Sequence, residues 1–157
     1  MRLPKKALLE IEGQPMTFRI IERLKASKTV DQIVICTSSH PDDNILVELA
    51  EKWGVEAIAG SELDVLSRLI EASNKFDADI IVRVTGDNPF TDEKLLDKTV
   101  KHLIEKNADY TRMIGLPIGV TADVMSSKML KKLYSIIPDP NQSEYLQLFA
   151  IDPDHFY

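Results

Sequence analysis

The feature that most constrains this chain is the repeated exchange of two hydrophobic periods, one suited to helices and one to strands. Met16, Ile20, Ile21 and Leu24 recur at helical spacing after the turn signal Gly13-Gln14-Pro15. Residues 32–36 then read as a short buried strand. The loop Thr37-Ser38-Ser39-His40 leads through Pro41-Asp42-Asp43 into a helix running to about Trp53, with Ile45, Leu46, Leu49 and Ala50 on its inner face and Gly54 as its C-terminal cap. Residues 55–59 form the next strand. Ser61 and Asp64 have the spacing of a capping box before a helix carrying Val65, Leu66, Leu69 and Ile70. Residues 79–84 are the most strand-like stretch. After Gly86-Asp87-Asn88-Pro89, Thr91 is placed to cap a helix with Asp92 and Glu93 in its first turn and Leu95, Leu96, Val100, Leu103 and Ile104 as its apolar stripe. Two weaker strands, 109–113 and 121–125, and a helix over 128–136 follow.

Strand-helix-strand units in succession predict an α/β fold, a Rossmann-like and mostly parallel sheet with helices on both faces. Residues 1–137 are expected to form one domain. Pro138-Asp139-Pro140-Asn141 is the most linker-like stretch, so residues 138–157 form a short appendage. It is too small for its own core and must pack on the domain or on a partner.

Composition narrows the function classes. The net charge is -6 and no run of Lys or Arg occurs, which removes the electrostatic footprint of a nucleic-acid binder. No apolar stretch approaches the length of a bilayer span and no signal-peptide core follows Met1, so no membrane role and a cytoplasmic location are expected. The single cysteine, Cys36, has no partner for an internal disulfide and reads as an inert core thiol. His40, His102 and His155 lack metal-ligand spacing with one another or with Cys36.

In an open α/β sheet, ligands bind beyond the carboxyl ends of the strands. Three loops qualify: 37–43, 60–64 and 86–91. In the third, Gly86 permits close backbone approach, and Asp87 offers a hard carboxylate suited to Mg²⁺ shared with phosphate oxygens. Asp followed by Asn-Pro is also ordinary turn chemistry.

The ordered series Arg2-Leu3-Pro4, Lys6, Gly13-Gln14-Pro15-Met16, Ile20-Ile21-Glu22-Arg23-Leu24, Gly60-Ser61-Glu62, Asp64-Val65-Leu66, Ile81-Val82-Arg83-Val84-Thr85-Gly86-Asp87-Asn88-Pro89, Ala108-Asp109-Tyr110, Pro117-Ile118-Gly119 and Asp123-Val124 resembles the cytidylyltransferase family. That family includes the synthetases of CMP-KDO and CMP-sialic acid and the spore coat polysaccharide biosynthesis protein F group. The resemblance covers residues 2 to about 125, with a fainter continuation near Ser143-Glu144-Tyr145.

The resemblance implies a nucleotide-diphospho-sugar transferase fold, CTP and Mg²⁺ as ligands, and attack of a sugar hydroxyl on the α-phosphate. It assigns Arg2 and Lys6 to phosphate gripping, Lys6 and Asp87 to catalysis, and Asp87 to the metal. Ser61, Asp64 and Gly86 border the nucleotide, and Asn88, Arg68 and Asp123 face the sugar. Each has a plainer alternative: Arg2 and Lys6 as solvated charges near a chain end, Asp64 as the capping-box partner of Ser61, Asp123 on an exposed strand edge.

The resemblance also implies a central first strand and a phosphate loop ahead of Arg2, both missing from this chain. Residues 7–12 shifting into the sheet, a strand donated by a partner chain, or a longer natural protein would each fill that place, and pairing of residues 7–12 or a homodimer is the expectation. Two functions therefore stand: CMP transfer from CTP to an acidic or amino sugar for surface polysaccharides, or a catalytically impaired paralogue kept as a nucleotide-binding or assembly subunit.

Overall fold

The computed structural model describes residues 6–117 and 119–151. A 3-10 turn, Lys6–Leu8, precedes a small hairpin in which β1 (Glu10–Ile11) pairs antiparallel with β2 (Gln14–Pro15). Glu12 and Gly13 turn the chain at φ of 50° and 74°, the left-handed pair a two-residue hairpin requires. Arg19 fastens this turn, donating from Nε to the Ile11 carbonyl and from Nη2 to the Glu12 carbonyl. Residues 10–11 thus pair only with their own neighbours, which corrects the expectation that residues 7–12 enter the main sheet. A two-residue connection makes local pairing cheap in loop entropy.

Helix α1 (Met16–Lys25) buries Met16, Ile20 and Ile21, as its spacing foretold. Strand β3 (Val34–Ser38) runs parallel to β4 (Glu56–Gly60), with Val34 opposite Glu56 and Ser38 opposite Gly60. Between them lies α2 (Asn44–Lys52), closed by Gly54 at φ 66°. Helix α3 (Val65–Lys75) leads to β5 (Ile80–Arg83), and α4 (Glu93–Lys106) to β6 (Tyr110–Thr111). Strand β7 (Asp123–Ser126) runs antiparallel to both β5 and β6 and lies between them.

The α/β alternation is as read, but the pairing is divided. Among the described residues the parallel part is β3–β4 alone, β5–β7–β6 is antiparallel, and no ladder joins β3 to β5. Asp123 consequently sits on a central strand and not on an exposed edge.

Two further departures are local. Asp92, not Thr91, caps α4, accepting from the Lys94 and Leu95 amides, while Thr91 is fully buried and donates to the Asn88 carbonyl. Asp64, not Ser61, caps α3, its carboxylate accepting from the Ser67 amide. A carboxylate nearer the helix, by one residue at α4 and by three at α3, captures the orphan amides that a hydroxyl farther back cannot reach.

Helix α5 (Ser127–Ile136), a 3-10 stretch (Pro140–Tyr145) and α6 (Leu146–Ala150) complete the fold. Leu146 and Ala150 are buried with Leu66, Met125, Met129, Leu130 and Leu133, so residues 140–150 share the main apolar cluster with α3, β7 and α5. A second cluster joins Leu96, Val100 and Leu103 of α4 to Val124 of β7. No helix among the described residues is long and apolar enough to cross a membrane.

Candidate active site at the carboxyl ends of the strands

The loops after β3, β4 and β5 gather through hydrogen bonds that their sequence separation conceals. Ser39 donates its amide to the Gly60 carbonyl at 2.7 Å, joining the ends of β3 and β4. The Ser143 hydroxyl accepts from the Val65 amide at 2.8 Å, at the start of α3. Next to it, the Glu144 carbonyl accepts from Arg83 Nη2 at 2.8 Å, at the end of β5. Residues 143–144 therefore tie the β4 exit to the β5 exit.

At that exit Val84 and Thr85 lead into a turn, with the Asn88 amide on the Thr85 carbonyl at 3.0 Å. The turn presents Asp87 outward. Its Oδ2 lies 2.6 Å from Lys6 Nζ, with both side chains nearly half exposed. The hydrogen bond from Lys6, aided by one from Thr85, holds the Asp87 carboxyl below the usual aspartate range. Gly86 has open space where a Cβ would stand, so nothing inside the fold demands a glycine there. Gly119 holds φ at 89°, a left-handed conformation that a side chain would strain, while a Cβ there would meet Asn88 Oδ1 at an ordinary 3.5 Å.

The other carboxylates are committed elsewhere. Asp64 is buried as the α3 cap, and its amide donates to Ser61 Oγ. Arg68 points back along its helix and donates through Nη1 to the Ser61 and Glu62 carbonyls, bracing the 60–64 loop. Burial lowers the Arg68 pKa from its ordinary value. Asp123 is spanned on both oxygens: Arg83 Nη1 reaches Oδ2 at 3.0 Å and the Tyr110 hydroxyl reaches Oδ1 at 2.6 Å. Burial, then the bond to Asp123, raises the Tyr110 pKa. Arg2 and His155 lie outside the described residues, while His40 spends Nδ1 on the Asp42 amide.

The structure thus brings together Lys6 and Asp87, and separately Ser61, Asp64 and Arg68. Sequence reasoning gave no role to Arg83, Tyr110 or Ser143. A signal for the first was present: an arginine closing the apolar run Ile80-Ile81-Val82 has to find an anion or carbonyls if its strand is covered. Nothing local marks Ser143, whose partner lies 78 residues away.

A family model described as cytidylyltransferase matches residues 1–148. The chain belongs to the cytidylyltransferase family. Among its relatives, spore coat polysaccharide biosynthesis protein SpsF of Bacillus subtilis is 32% identical over 133 residues, 82% of this chain and 55% of its own. An uncharacterized protein of Methanocaldococcus jannaschii is 37% identical over 156 residues, 99% of this chain and 64% of its own length. The chain therefore spans less than two thirds of these two proteins. The structure of a cytidylyltransferase from Leptospira borgpetersenii superposes with a TM-score of 0.90 at 29% identity, covering 99% of this chain and 68% of that one. A CMP:2-keto-3-deoxy-manno-octonic acid synthetase structure, at 19% identity and TM-score 0.69, shares the fold over 94% of this chain and 78% of its own.

Proposed function

We propose that this chain carries the CTP site of a cytidylyltransferase that transfers CMP to the hydroxyl of an acidic or amino sugar for surface polysaccharide synthesis. The observation that carries the reading is the Lys6–Asp87 pair at the exit of β5, 2.6 Å between Nζ and Oδ2. An outward carboxylate beside a half-exposed ammonium suits a triphosphate that arrives with its metal. The sugar named for relatives points the same way: 3-deoxy-manno-octulosonate cytidylyltransferase of Chloroherpeton thalassium is 26% identical over 142 residues.

The donor chemistry fits Mg²⁺ in one specific mode. Among the described residues no cluster of three His, Cys, Asp or Glu stands ready to enclose a metal. Mg²⁺ often binds through one or two carboxylates, with phosphate oxygens and water completing its shell, and Asp87 supplies one such carboxylate. When bound, the ion would neutralise phosphate charge. Lys6 would grip phosphate oxygens, and the Gly86 backbone would let the nucleotide approach. Ser61, Asp64 and Arg68 would border the nucleotide and sugar, with Arg68 holding the loop in place. Asn88 would face the sugar, and Asp123 would act there by fixing Arg83 and Tyr110. Arg2 would join Lys6 on the phosphates. Such chemistry rests on positioning and charge neutralisation, with no covalent enzyme intermediate. This reading has the protein act in the cytoplasm and as a homodimer; light scattering on the purified chain would check the dimer.

The deciding experiment is calorimetric titration of CTP into the 157-residue chain with Mg²⁺, using ATP and Asp87→Ala as controls. Saturable, Mg²⁺-dependent binding of CTP over ATP, lost in Asp87→Ala, is the expected result. Absence of nucleotide binding would reject the transferase reading in favour of a fold kept as an assembly subunit.

A further inference from the structure

The two residues proposed to meet phosphate and metal meet each other. Lys6 Nζ lies 2.6 Å from Asp87 Oδ2, a charge-assisted hydrogen bond, so the ammonium stands on a carboxylate oxygen that a metal would take. The backbone beneath each side chain is anchored. The Lys6–Leu8 turn is closed by the Leu9 amide on the Lys6 carbonyl at 3.1 Å and tied to α1 by the Thr17 hydroxyl on the Ala7 carbonyl at 2.8 Å. The Asp87 turn is closed by the Asn88 amide on the Thr85 carbonyl at 3.0 Å. Behind it, fully buried Thr91 donates to the Asn88 carbonyl through its amide at 3.2 Å and its hydroxyl at 2.9 Å. The contact can therefore open by side-chain rotation alone, which the flexible four-carbon stem of lysine permits.

The two partners are held unequally. The Asp87 carboxylate also accepts from the Thr85 side chain and from its own amide, so it keeps its direction when Lys6 leaves. The Lys6 side chain is 48% exposed, and its ammonium carries three rotatable donors that an arriving anion can reach.

The balance between Lys6 and a metal follows from charge. Among the described residues no group of three His, Cys, Asp or Glu could hold a metal, so Asp87 meets an ion without protein carboxylates beside it. A lone carboxylate is a poor site for Mg²⁺, which sheds its water reluctantly. A free ion would have to displace the Lys6 hydrogen bond and then sit beside its positive charge. A triphosphate reverses both terms, because its oxygens offer the ammonium another partner and complete the shell of the metal.

We infer that Lys6 is a removable plug on Asp87, which withholds the carboxylate from free divalent metal and yields it when phosphate oxygens take the ammonium. Resting on the reading of Asp87 as the metal carboxylate, the plug adds an order to it: metal is accepted together with the nucleotide and not before it. Coupling between two ligands is reciprocal, so the same contact makes each of them raise the affinity of the other.

The test uses the whole 157-residue chain and Mn²⁺, which shares the preference of Mg²⁺ for carboxylate oxygen and is counted free in solution by electron paramagnetic resonance. No nucleotide is present. Lys6→Gln is expected to bind Mn²⁺ at least about tenfold more tightly than the unaltered chain, the order set by removing one positive charge in contact with the ion. Lys6→Arg, which keeps a cation there, is expected to leave the affinity as it was. A variant carrying both Lys6→Gln and Asp87→Asn is expected to lose the gain, which separates release of Asp87 from a general change in net charge. Release by phosphate is read by NMR at constant pH with EDTA present: CTP is expected to move the Asp87 carboxyl carbon resonance of the unaltered chain toward its position in Lys6→Gln.

Equal Mn²⁺ affinity in the unaltered chain and in Lys6→Gln would overturn the plug, and so would a gain that survives Asp87→Asn. CTP that binds and leaves the Asp87 resonance in place would overturn the release step. Absence of CTP binding would reject the transferase reading and the release step together, while the Mn²⁺ comparison, which needs no nucleotide, would still decide the plug.

Discussion

Lys6 Nζ meets Asp87 Oδ2 at 2.6 Å across 81 residues of sequence, which makes the ammonium the present counter-ion of the carboxylate proposed to meet the metal. Lys6 and Asp87 are both about half exposed, so the pair contributes little to stability and its interest is chemical. Because the Asp87 pKa is lowered, chiefly by the Lys6 hydrogen bond, whatever stability it gives is present above the ordinary aspartate value of 3.8 and is lost as the pH falls through its lower folded value. In an NMR titration of side-chain carboxyls, Asp87 is expected to have its inflection below 3.8, and Lys6→Gln is expected to move it upward. No upward movement would show that Lys6 is not the cause.

Arg83 is the partner whose loss should be felt in the fold. Arg83 and Asp123 are only 11% and 14% exposed, so Arg83→Ala strands a largely buried carboxylate and also releases the Glu144 carbonyl. A loss of about 3 kcal/mol in urea unfolding is expected, in line with breaking a buried pair from one side. Faster amide exchange over residues 143–146 should accompany it. A change below about 0.5 kcal/mol would mean that solvent replaces Arg83 at no cost.

Asp64 offers a clean separation of capping from ligand binding. Asn accepts a hydrogen bond at a helix amino terminus as well as Asp does, and Ala does not. Asp64→Asn is expected to keep the melting midpoint within experimental error, while Asp64→Ala loses about 1 kcal/mol. Calorimetric CTP affinity in Asp64→Asn then reads the charge alone: an unchanged value assigns Asp64 to the scaffold, and a tenfold loss assigns it to the nucleotide.

Ser143 is buried beside the same helix start, with its hydroxyl on the Val65 amide. Ser143→Ala leaves that amide without its partner, and about 1 kcal/mol of destabilisation is expected in thermal or urea unfolding. A neutral result would show that water reaches the Val65 amide.

Cys36 should be slow to react. Burial pushes its thiol up to about 11, so little thiolate is present near neutrality. Alkylation by iodoacetamide at pH 8 is expected to be at least tenfold slower in the folded chain than in urea. Equal rates would contradict the burial of this side chain.

How much of this was legible beforehand varies by element. The apolar stripes of α1 and α4, the strand over Ile80–Arg83 and the turn at Gly86-Asp87 were readable because each depends on residues within a few positions of one another. The hairpin at Glu10–Pro15 was read only as a turn, since two-residue strands carry no periodicity to detect. The caps of α3 and α4 lie three residues and one residue from the expected positions because Asp, Ser and Thr compete for the same amides and only the backbone path decides which reaches them.

The sequence by itself determined the α/β alternation, the family and the position of Asp87 just past a strand, all of which follow from local order along the chain. The tertiary structure alone decided which carboxylates stay available. Asp87 faces outward to Lys6, Asp64 is buried on the α3 amides, and Asp123 is held between Arg83 and Tyr110. It also decided that the described strands form three separate sets, β1–β2, β3–β4 and β5–β7–β6. The physical reason is common to all of these: a side chain's partner is fixed by where distant segments pack, and separations of 40 residues for Arg83–Asp123 and 61 for Arg83–Glu144 leave no mark in local periodicity.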